Sequence, residues 1–340
     1  FWHKRAAALL ASVSVSTIAF AATAYAQRAS DALTDEIIVT ATKQVGGVAE
    51  QDAPIAISVY GEEQLEALRV SDLETLSYSQ PNVSLEDVGS IQGTANFSIR
   101  GLGINSSIPS IDPTVGVFVD GVYLGTTAGL LFDTFDMEAI EVLRGPQGVL
   151  FGRNVTGGAV LIRTKRPTDE FEASAQGAWE TGLNQVYQAS VSGPIVPGVL
   201  KAKIAAYYKN DEGFWTNELD GSKLGEVETI VVRPVVEFTP SENAEFIVRY
   251  EHGESEGHGT IAQNRALFER GTDRVTTDAP GFMDHEWDQV SAEANIDVPF
   301  GDGVITNIFG WRQYSSASQS DFDATTLNLL LFGEITEQEQ

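Results

Sequence analysis

The 340-residue sequence has no cysteine and few basic residues. Without cysteine there are no disulfide bonds, no thiolate metal ligands and no cysteine nucleophile. Acidic residues number 48 against 21 lysines and arginines, and the formal net charge is -27. Because nucleic-acid binding needs clustered lysines and arginines to attract phosphates, we expect no nucleic-acid partner.

Long hydrophobic runs are missing after residue 26, where no stretch reaches the roughly 18 apolar residues of a membrane-spanning helix. Before that point, the basic triplet HKR precedes the apolar stretch AAALLASVSVSTIAFAATAYA, which ends in the small-x-small triplet AYA. This order predicts a secretory signal peptide over residues 1–26. The alternative is a membrane-anchoring helix, which the serines and threonines within the stretch disfavour.

Residues 35–166 mix short β-branched runs, many glycines and one helical stretch, GEEQLEALRVSDLETLS. In that stretch Leu65, Leu68, Leu73 and Leu76 recur at near-helical spacing. Helical and extended patterns in one compact region predict an α+β domain.

From residue 170 onward, apolar and polar residues alternate with period two, which predicts β-strands with one apolar face. In LKAKIAAYYK, for example, Ile204 and Tyr208 oppose Lys201, Lys203 and Lys209. Short links at residues 193–198, 239–243 and 299–303 alternate with longer polar ones at residues 210–225, 252–288 and 315–326. This asymmetry is typical of outer-membrane β-barrels. A secreted soluble β-sandwich also alternates, but it has no reason to lengthen every second loop.

The strand count predicts an incomplete barrel of about seven strands and the start of an eighth. Lipid does not tolerate an open sheet edge. A globular domain of the size of residues 35–166 has a diameter on the order of 36 Å, which fits only inside the large, roughly 22-stranded class of barrel. Since Phe1 is not methionine and the final EITEQEQ lies within a strand pattern, we expect a piece of a longer protein that lacks roughly 300 barrel residues.

Four motifs in order make the chain resemble TonB-dependent outer-membrane receptors: DEIIVTATK, FSIRGLG, VGVFVDGVYLG and IEVLRGPQGVLFGRNVTGG. The resemblance implies a mainly β fold, with an N-terminal α+β plug domain inside a large antiparallel transmembrane β-barrel of the 22-strand class, here truncated after about 7–8 strands. It divides the chain into a signal peptide (1–26), an N-terminal segment (27–44), a plug domain (45–167) and a partial barrel (168–340).

The first motif is similar to the family's TonB box, an extended segment that adds as a strand to the sheet of TonB through main-chain hydrogen bonds. Taken alone, any edge strand has this pattern, and the position between signal peptide and plug favours the TonB box. The predicted residues are Asp35, Glu36, Ile37, Ile38, Val39, Thr40 and Ala41.

The glycine-rich stretch after residue 140 matches neither a Walker A loop, which needs G-K-[ST], nor a G-x-G-x-x-G dinucleotide fingerprint. Glycines are better explained there by positive φ angles or by close backbone approach in a tightly turned plug. The predicted plug-turn positions are Gly101, Gly145, Gly148, Gly152, Gly157 and Gly158.

The resemblance assigns a locking role to Arg100 of the IRG motif and Arg144 of the LRGP motif. In resembling receptors these arginines hold the plug to acidic residues of later barrel strands. Charge-assisted arginine–carboxylate contacts are directional and still separable, which suits a reversible lock. The alternative is that both arginines are solvated.

His252, His258 and His285 fall in or at the ends of one long acidic loop, which makes them a candidate ligand loop. Imidazole and carboxylate together suit transition metals, but the spacing matches no defined site. We therefore predict neither a bound metal nor a cofactor.

The resemblance implies an importer in the outer membrane of a Gram-negative bacterium, contacting outer-membrane lipid and powered through TonB with ExbB and ExbD. The expected small-molecule ligand is a metal chelate, most often a ferric siderophore in this family. Alternatives are a carbohydrate, cobalamin or an aromatic compound as ligand, or a surface-binding β protein without transport. An enzyme has little support, since no H-E-x-x-H motif or assignable catalytic triad occurs.

Overall fold

The computed structural model describes residues 38–41, 47–68, 70, 72–88, 91–104, 111–126, 135–181, 184–301 and 303–340. The predicted signal peptide, nearly all of the segment 27–44 and Asp35, Glu36 and Ile37 lie outside the described residues. None of the helices in the described part of the chain has the length and hydropathy to cross a membrane.

The described residues of the first half contain short strands and three short helices. The strands are β1 (Ile38–Val39), β2 (Val48–Ala49), β3 (Ile57–Gly61), β4 (Val83–Val88), β5 (Ile91–Ile99), β6 (Leu102–Gly103), β7 (Val115–Val119), β8 (Val122–Leu124), β9 (Met137–Arg144) and β10 (Gly158–Thr164). The helices are α1 (Glu62–Ala67), α2 (Leu73–Ser77) and α3 (Gly148–Phe151), with a 3-10 turn at Glu50–Asp52.

A five-stranded sheet in the order β3-β9-β10-β7-β8 forms the centre of this half. Strand β10 is parallel to β7 and antiparallel to β9, and β9 is antiparallel to β3. One sheet face packs on α1, α2 and the β4-β5-β6 sheet, with Ile140, Val142 and Val160 fully buried. The other face packs on the N-terminal segment, where Val39 and Ala41 are buried. Strand β9, the second strand of this sheet, is therefore covered on both sides.

The predicted single helical stretch is instead two helices, α1 and α2. Asp72 caps the second, because its carboxylate accepts a hydrogen bond from the Thr75 backbone N–H at 2.7 Å. Leu65, Leu73 and Leu76 are buried as the spacing predicts. Leu68 is 49% exposed, because α1 ends before it.

The second half is one eight-stranded sheet in the order β11-β12-β13-β16-β17-β19-β20-β21, every neighbouring pair antiparallel. Its strands are β11 (Glu172–Trp179), β12 (Gln185–Val196), β13 (Leu200–Asp211), β16 (Val227–Ser241), β17 (Ala244–Gly257), β19 (Phe282–Val298), β20 (Gly303–Asp321) and β21 (Leu331–Glu339). Between them lie β14 (Trp215–Asn217), β15 (Lys223–Leu224) and β18 (Arg274–Val275), which form a small sheet of loop strands. The order is the meander expected of a barrel wall.

In this sheet the apolar face is exposed and the polar face is buried, which is the opposite of a soluble protein. On the face that the sequence marks as apolar, Ile204 is 51% and Val248 is 48% exposed. On the opposite face, Lys203, Arg233 and Glu251 are between 2% and 6% exposed, because that face lies against the first half of the chain. A soluble sandwich buries its apolar face, and this arrangement instead fits a sheet that faces lipid outside and a polar plug inside.

Several strands run further than predicted. Strand β20 covers 19 residues and β19 covers 17, so that the ends of the predicted loop at residues 252–288 and the first part of that at 315–326 belong to strands. A tilted strand of about 9–11 residues already crosses a bilayer. The additional residues extend the sheet beyond the apolar band, where both faces meet polar surroundings and apolar alternation is lost.

Candidate functional site

The N-terminal segment with the predicted TonB-box residues docks on the first domain. Strand β1 pairs antiparallel with β2, with Ile38 opposite Ala49 and Val39 opposite Val48. Val39 is fully buried and Ala41 is 1% exposed. The Glu141 carboxylate accepts hydrogen bonds from the backbone N–H groups of Thr40, at 3.1 Å, and Ala41, at 2.9 Å. The described end of this segment is thus an integral part of the plug surface.

The two predicted locking arginines lie close to each other in the plug. Arg100 is exposed and adopts a φ of 54°, in the left-handed region that few non-glycine residues occupy. Its backbone N–H donates to the Asn82 carbonyl at 2.7 Å. A Cβ at Gly145, beside Arg144, would lie 3.4 Å from the Arg100 Nη1 atom. The IRG and LRGP motifs therefore meet at one point of the plug.

The Arg144 side chain is half-buried and contacts other residues of the plug. Its Nη2 donates to the Ser58 hydroxyl at 3.0 Å and to the Ile57 carbonyl at 3.5 Å. Its Nε is buried and, within the described residues, makes no hydrogen bond. No described contact joins Arg100 or Arg144 to a barrel glutamate, so their locking role stays a prediction.

The predicted plug-turn glycines differ in the structural reason that requires glycine. At Gly158 (φ 155°) a Cβ would lie 2.2 Å from the Leu143 carbonyl oxygen, so only glycine allows β9 and β10 to pair there. Gly148 is an exception to the expectation, because it has neither a positive φ nor a close neighbour and simply begins α3. Positive φ angles occur at Gly101, Gly145 and Gly152, and close contacts with Leu102 and Thr114 surround Gly157.

Sequence reasoning missed the ion pairs that join plug and wall. Asp136, just before β9, forms a close ion pair with Lys203 of β13 and lies 3.7 Å from the Arg233 Nη1 atom of β16. Arg233 also donates to the Phe135 carbonyl at 3.1 Å and stacks over the Phe135 ring at 5.1 Å. Each of the three charged side chains is at most 6% exposed. The sequence showed lysines and arginines on the polar strand face, but it did not indicate which acidic residue pairs with them.

Asp120 provides a second contact of the same polarity. It lies in the turn between β7 and β8 at a φ of 48°. Its carboxylate accepts hydrogen bonds from the backbone N–H and the hydroxyl of Thr164, at 2.9 and 2.8 Å. The Arg249 Nε atom of β17 lies 3.6 Å from it. At Asp136 and Asp120, acidic plug residues therefore meet basic wall residues, opposite to the polarity predicted for Arg100 and Arg144.

The connection from plug to wall is held by Arg166. Its Nε and Nη2 donate to the same Glu237 oxygen of β16, at 3.1 and 2.9 Å, and Nη2 also forms a close ion pair with Glu245 of β17. Burial alone would lower the pKa of Arg166, but the Glu237 and Glu245 carboxylates outweigh burial, so its pKa is raised. The guanidinium stays charged and anchors the first residues of the wall.

A family model decides the identity of the first domain. The model of the TonB-dependent receptor plug domain matches residues 49–159. The chain belongs to the TonB-dependent receptors. The resemblance noted in the sequence and the predicted fold class are thereby confirmed.

Named relatives of the receptor align with about half of its length. It is 28% identical over 186 residues to the pesticin receptor of Yersinia pestis, and this alignment covers 55% of this chain and 27% of that protein. It is 32% identical over 163 residues to the iron-regulated outer membrane virulence protein of Vibrio cholerae serotype O1, and this alignment covers 46% of this chain and 24% of that protein. The match thus spans about a quarter of the length of these relatives.

A solved structure is similar over a larger share of the chain. The crystal structure of the ferric yersiniabactin uptake receptor FyuA from Yersinia pestis superposes with a TM-score of 0.69 at 21% identity. The superposition covers 78% of this chain and 42% of that chain. At this identity the likeness establishes the fold, a plug against the inner wall of a β-barrel.

Of the three histidines predicted in or at the ends of one loop, His252 and His285 lie on strands of the receptor. His252 lies on β17 and faces outward, where its Nδ1 lies 3.0 Å from the Asp288 carboxylate. His285 lies on β19, faces inward, is 8% exposed and packs edge-on against the Tyr314 ring. His258 follows β17, and its Nδ1 accepts from the Glu226 backbone N–H at 3.2 Å. Because side chains alternate along each strand, His252 and His285 fall on opposite faces of the wall.

Potential metal-ligand atoms of His252, Glu254 and Glu286 in the receptor do lie within 4.8 Å of one another. Glu254 is exposed, and its strand position places it on the outward face with Val248 and Tyr250. A ligand on its way past the plug would meet the inward face. We therefore give this group no part in transport.

The loops of the receptor are tied together beyond the wall. Asn217 of β14 donates from its amide to the Thr277 carbonyl at 3.0 Å and accepts from the Thr277 N–H at 3.3 Å. The Thr277 hydroxyl in turn donates to Asp321, at the end of β20, at 2.7 Å. All three residues are buried. Residues from three connections therefore form one polar cluster above the sheet.

Proposed function

We propose that this protein is an outer-membrane receptor that binds a ferric siderophore and imports it into the periplasm, with energy delivered by TonB, ExbB and ExbD. The observation that carries the proposal is the position of the plug: it lies against the buried polar face of the eight-stranded wall, while the apolar face is exposed. Such a sheet needs lipid on one side. We also propose the domain limits predicted from the sequence, with the plug at residues 45–167 and the partial barrel at residues 168–340.

The ligand class rests on the relatives. They are named as a pesticin receptor, an iron-regulated outer membrane virulence protein, a ferripyoverdine receptor and a ferrioxamine B receptor. Most of these names refer to iron or to its chelators, and each denotes a membrane protein or a receptor rather than an enzyme. Carbohydrate, cobalamin and aromatic ligands are the alternatives within the same transporter class.

The mechanism that we propose divides the work between two regions. Loops beyond the wall and the plug surface bind the chelate, and the segment at residues 35–41 recruits TonB by strand addition. A pull on that segment then rearranges the plug. The ion pairs of Asp136, Asp120 and Arg166 with the wall support this division, because separate charged contacts can be broken in sequence while the wall stays intact.

The test is a deletion of residues 35–41 in the protein expressed from its own gene. Binding and uptake are measured with iron-55 complexes of yersiniabactin, ferrioxamine B and pyoverdine, and with labelled cobalamin as a ligand of another class. We expect uptake of at least one iron complex to be lost while binding to cells persists. Unchanged uptake after the deletion would refute coupling through TonB, and uptake of cobalamin alone would reassign the ligand.

A further inference from the structure

A buried carboxylate lies at the centre of the plug. Glu141 belongs to β9, the second strand of the five-stranded sheet, and is 0% exposed. Its side chain shares a sheet face with Leu143, which packs against Val39 and Ala41 of the N-terminal segment. Glutamate is rarely buried completely unless it is paired. The position therefore requires partners.

Those partners come from the N-terminal segment. The Oε1 atom accepts from the Thr40 backbone N–H at 3.1 Å and from the Thr40 hydroxyl at 2.6 Å. The Oε2 atom accepts from the Ala41 N–H at 2.9 Å. In the portion of the chain described above, all hydrogen bonds to this carboxylate come from these two residues, about 100 positions away in sequence. Hydrogen bonds to a charged acceptor are about twice as strong as neutral ones.

Within the described residues 38–41, the other attachments of the segment are a short strand pairing and two apolar side chains. Strand β1 has two residues and pairs with a two-residue strand. Val39 and Ala41 add apolar burial against Ile57 and Leu143. Among the described residues, Glu141 thus supplies the side-chain polar contact of the segment with the plug. If the segment leaves, Glu141 loses all of these hydrogen bonds at once.

We propose that Glu141 is a positioning residue that holds the TonB-box segment on the plug and so keeps it from TonB until the plug is disturbed. The proposal rests on the proposed function only in naming TonB as the protein that takes the released segment. The physical core is an autoinhibitory contact. A buried carboxylate and the backbone N–H groups of Thr40 and Ala41 satisfy one another only in the docked state.

The 340 residues contain no cysteine, and any cysteine elsewhere in the full-length protein is replaced by serine, so that one introduced thiol reports undocking. Val39→Cys places a smaller side chain at a position with 0% exposure. Maleimide labelling is measured in isolated outer membranes from cells without TonB, in the background of wild type, Glu141→Leu, Glu141→Gln and Thr40→Val. We expect labelling at least about tenfold faster with Glu141→Leu, and smaller increases with Glu141→Gln and Thr40→Val, which each keep part of the contact.

Two controls separate undocking from misfolding. Glu138→Gln removes a charge from the same strand at a half-exposed position that pairs with Arg163, and we expect no more than about a twofold change. Val160→Cys reports the opposite, fully buried sheet face, and it should stay protected in each variant. Unchanged labelling at Val39→Cys in Glu141→Leu overturns the proposal, and so does equal exposure of both reporters in every Glu141 variant.

The outcome is independent of transport. The labelling needs neither TonB nor a ligand, so its failure refutes the contact alone. Failure of the deletion of residues 35–41 to stop uptake would refute TonB coupling and leave the labelling result interpretable.

Discussion

Replacement of Asp136 by asparagine tests how strongly the plug is bound to the wall. Asp136 has a φ of 54°, and asparagine tolerates this left-handed conformation as aspartate does, so the substitution removes the charge with little backbone strain. Lys203 and Arg233 then lose their shared carboxylate in a site that is at most 6% exposed. Arg233 keeps Glu251 at 2.5 Å, whereas Lys203 is left as a buried charge without a compensating one among the described residues.

The expected loss follows from this burial. Removing one partner of a buried ion pair costs about 3–5 kcal/mol, and the retained amide oxygen places Asp136→Asn near about 3 kcal/mol. With a urea dependence of about 1–3 kcal/mol per molar for a domain of this size, the midpoint for plug unfolding should fall by at least about 1 M. Exposure of a thiol at Val160→Cys, followed by maleimide labelling across a urea series in detergent, measures that midpoint.

A matched control and a double variant decide the reasoning. Glu138→Gln breaks a half-exposed pair with Arg163 and should cost at most about 1 kcal/mol. Asp136→Asn with Lys203→Met removes charge from both sides of the buried pair, and we expect recovery of most of the lost stability. A midpoint for Asp136→Asn that equals that of Glu138→Gln, or a double variant without recovery, would refute a stabilising role of this pair.

Two further substitutions test the close contacts of the plug and the loops. Gly158→Ala would place its Cβ 2.2 Å from the Leu143 carbonyl, so we expect a loss of about 3 kcal/mol or more and a protease-sensitive plug, whereas Gly148→Ala, which meets nothing, should be neutral. Asn217→Ala removes the hydrogen bonds to Thr277 that link two loops, so we expect trypsin to cleave several-fold faster at Arg265 and nearby arginines in membranes. Asp220→Ala, at the tip of one loop, is the control. Equal cleavage rates in the two variants would contradict a shared loop cluster.

The sequence by itself determined the plan of the wall. In LKAKIAAYYK and similar segments, the period of two separates a lipid face from a polar face, and the structure places Ile204 outside and Lys203 inside as that period requires. The motifs likewise determined the family, because glycines such as Gly158 mark backbone geometry that no other residue adopts. These are local properties, readable from neighbours along the chain.

Tertiary structure alone decided which charges meet. Glu141 binds Thr40 about 100 residues away, and Asp136 pairs with Lys203 across a gap of 67 residues, so no local pattern could name either pair. The single predicted helix became two because of the cap at Asp72. Both ends of the predicted histidine loop belong to strands, because β17 and β19 continue past the apolar band, where the apolar alternation that marks a strand has no cause to persist.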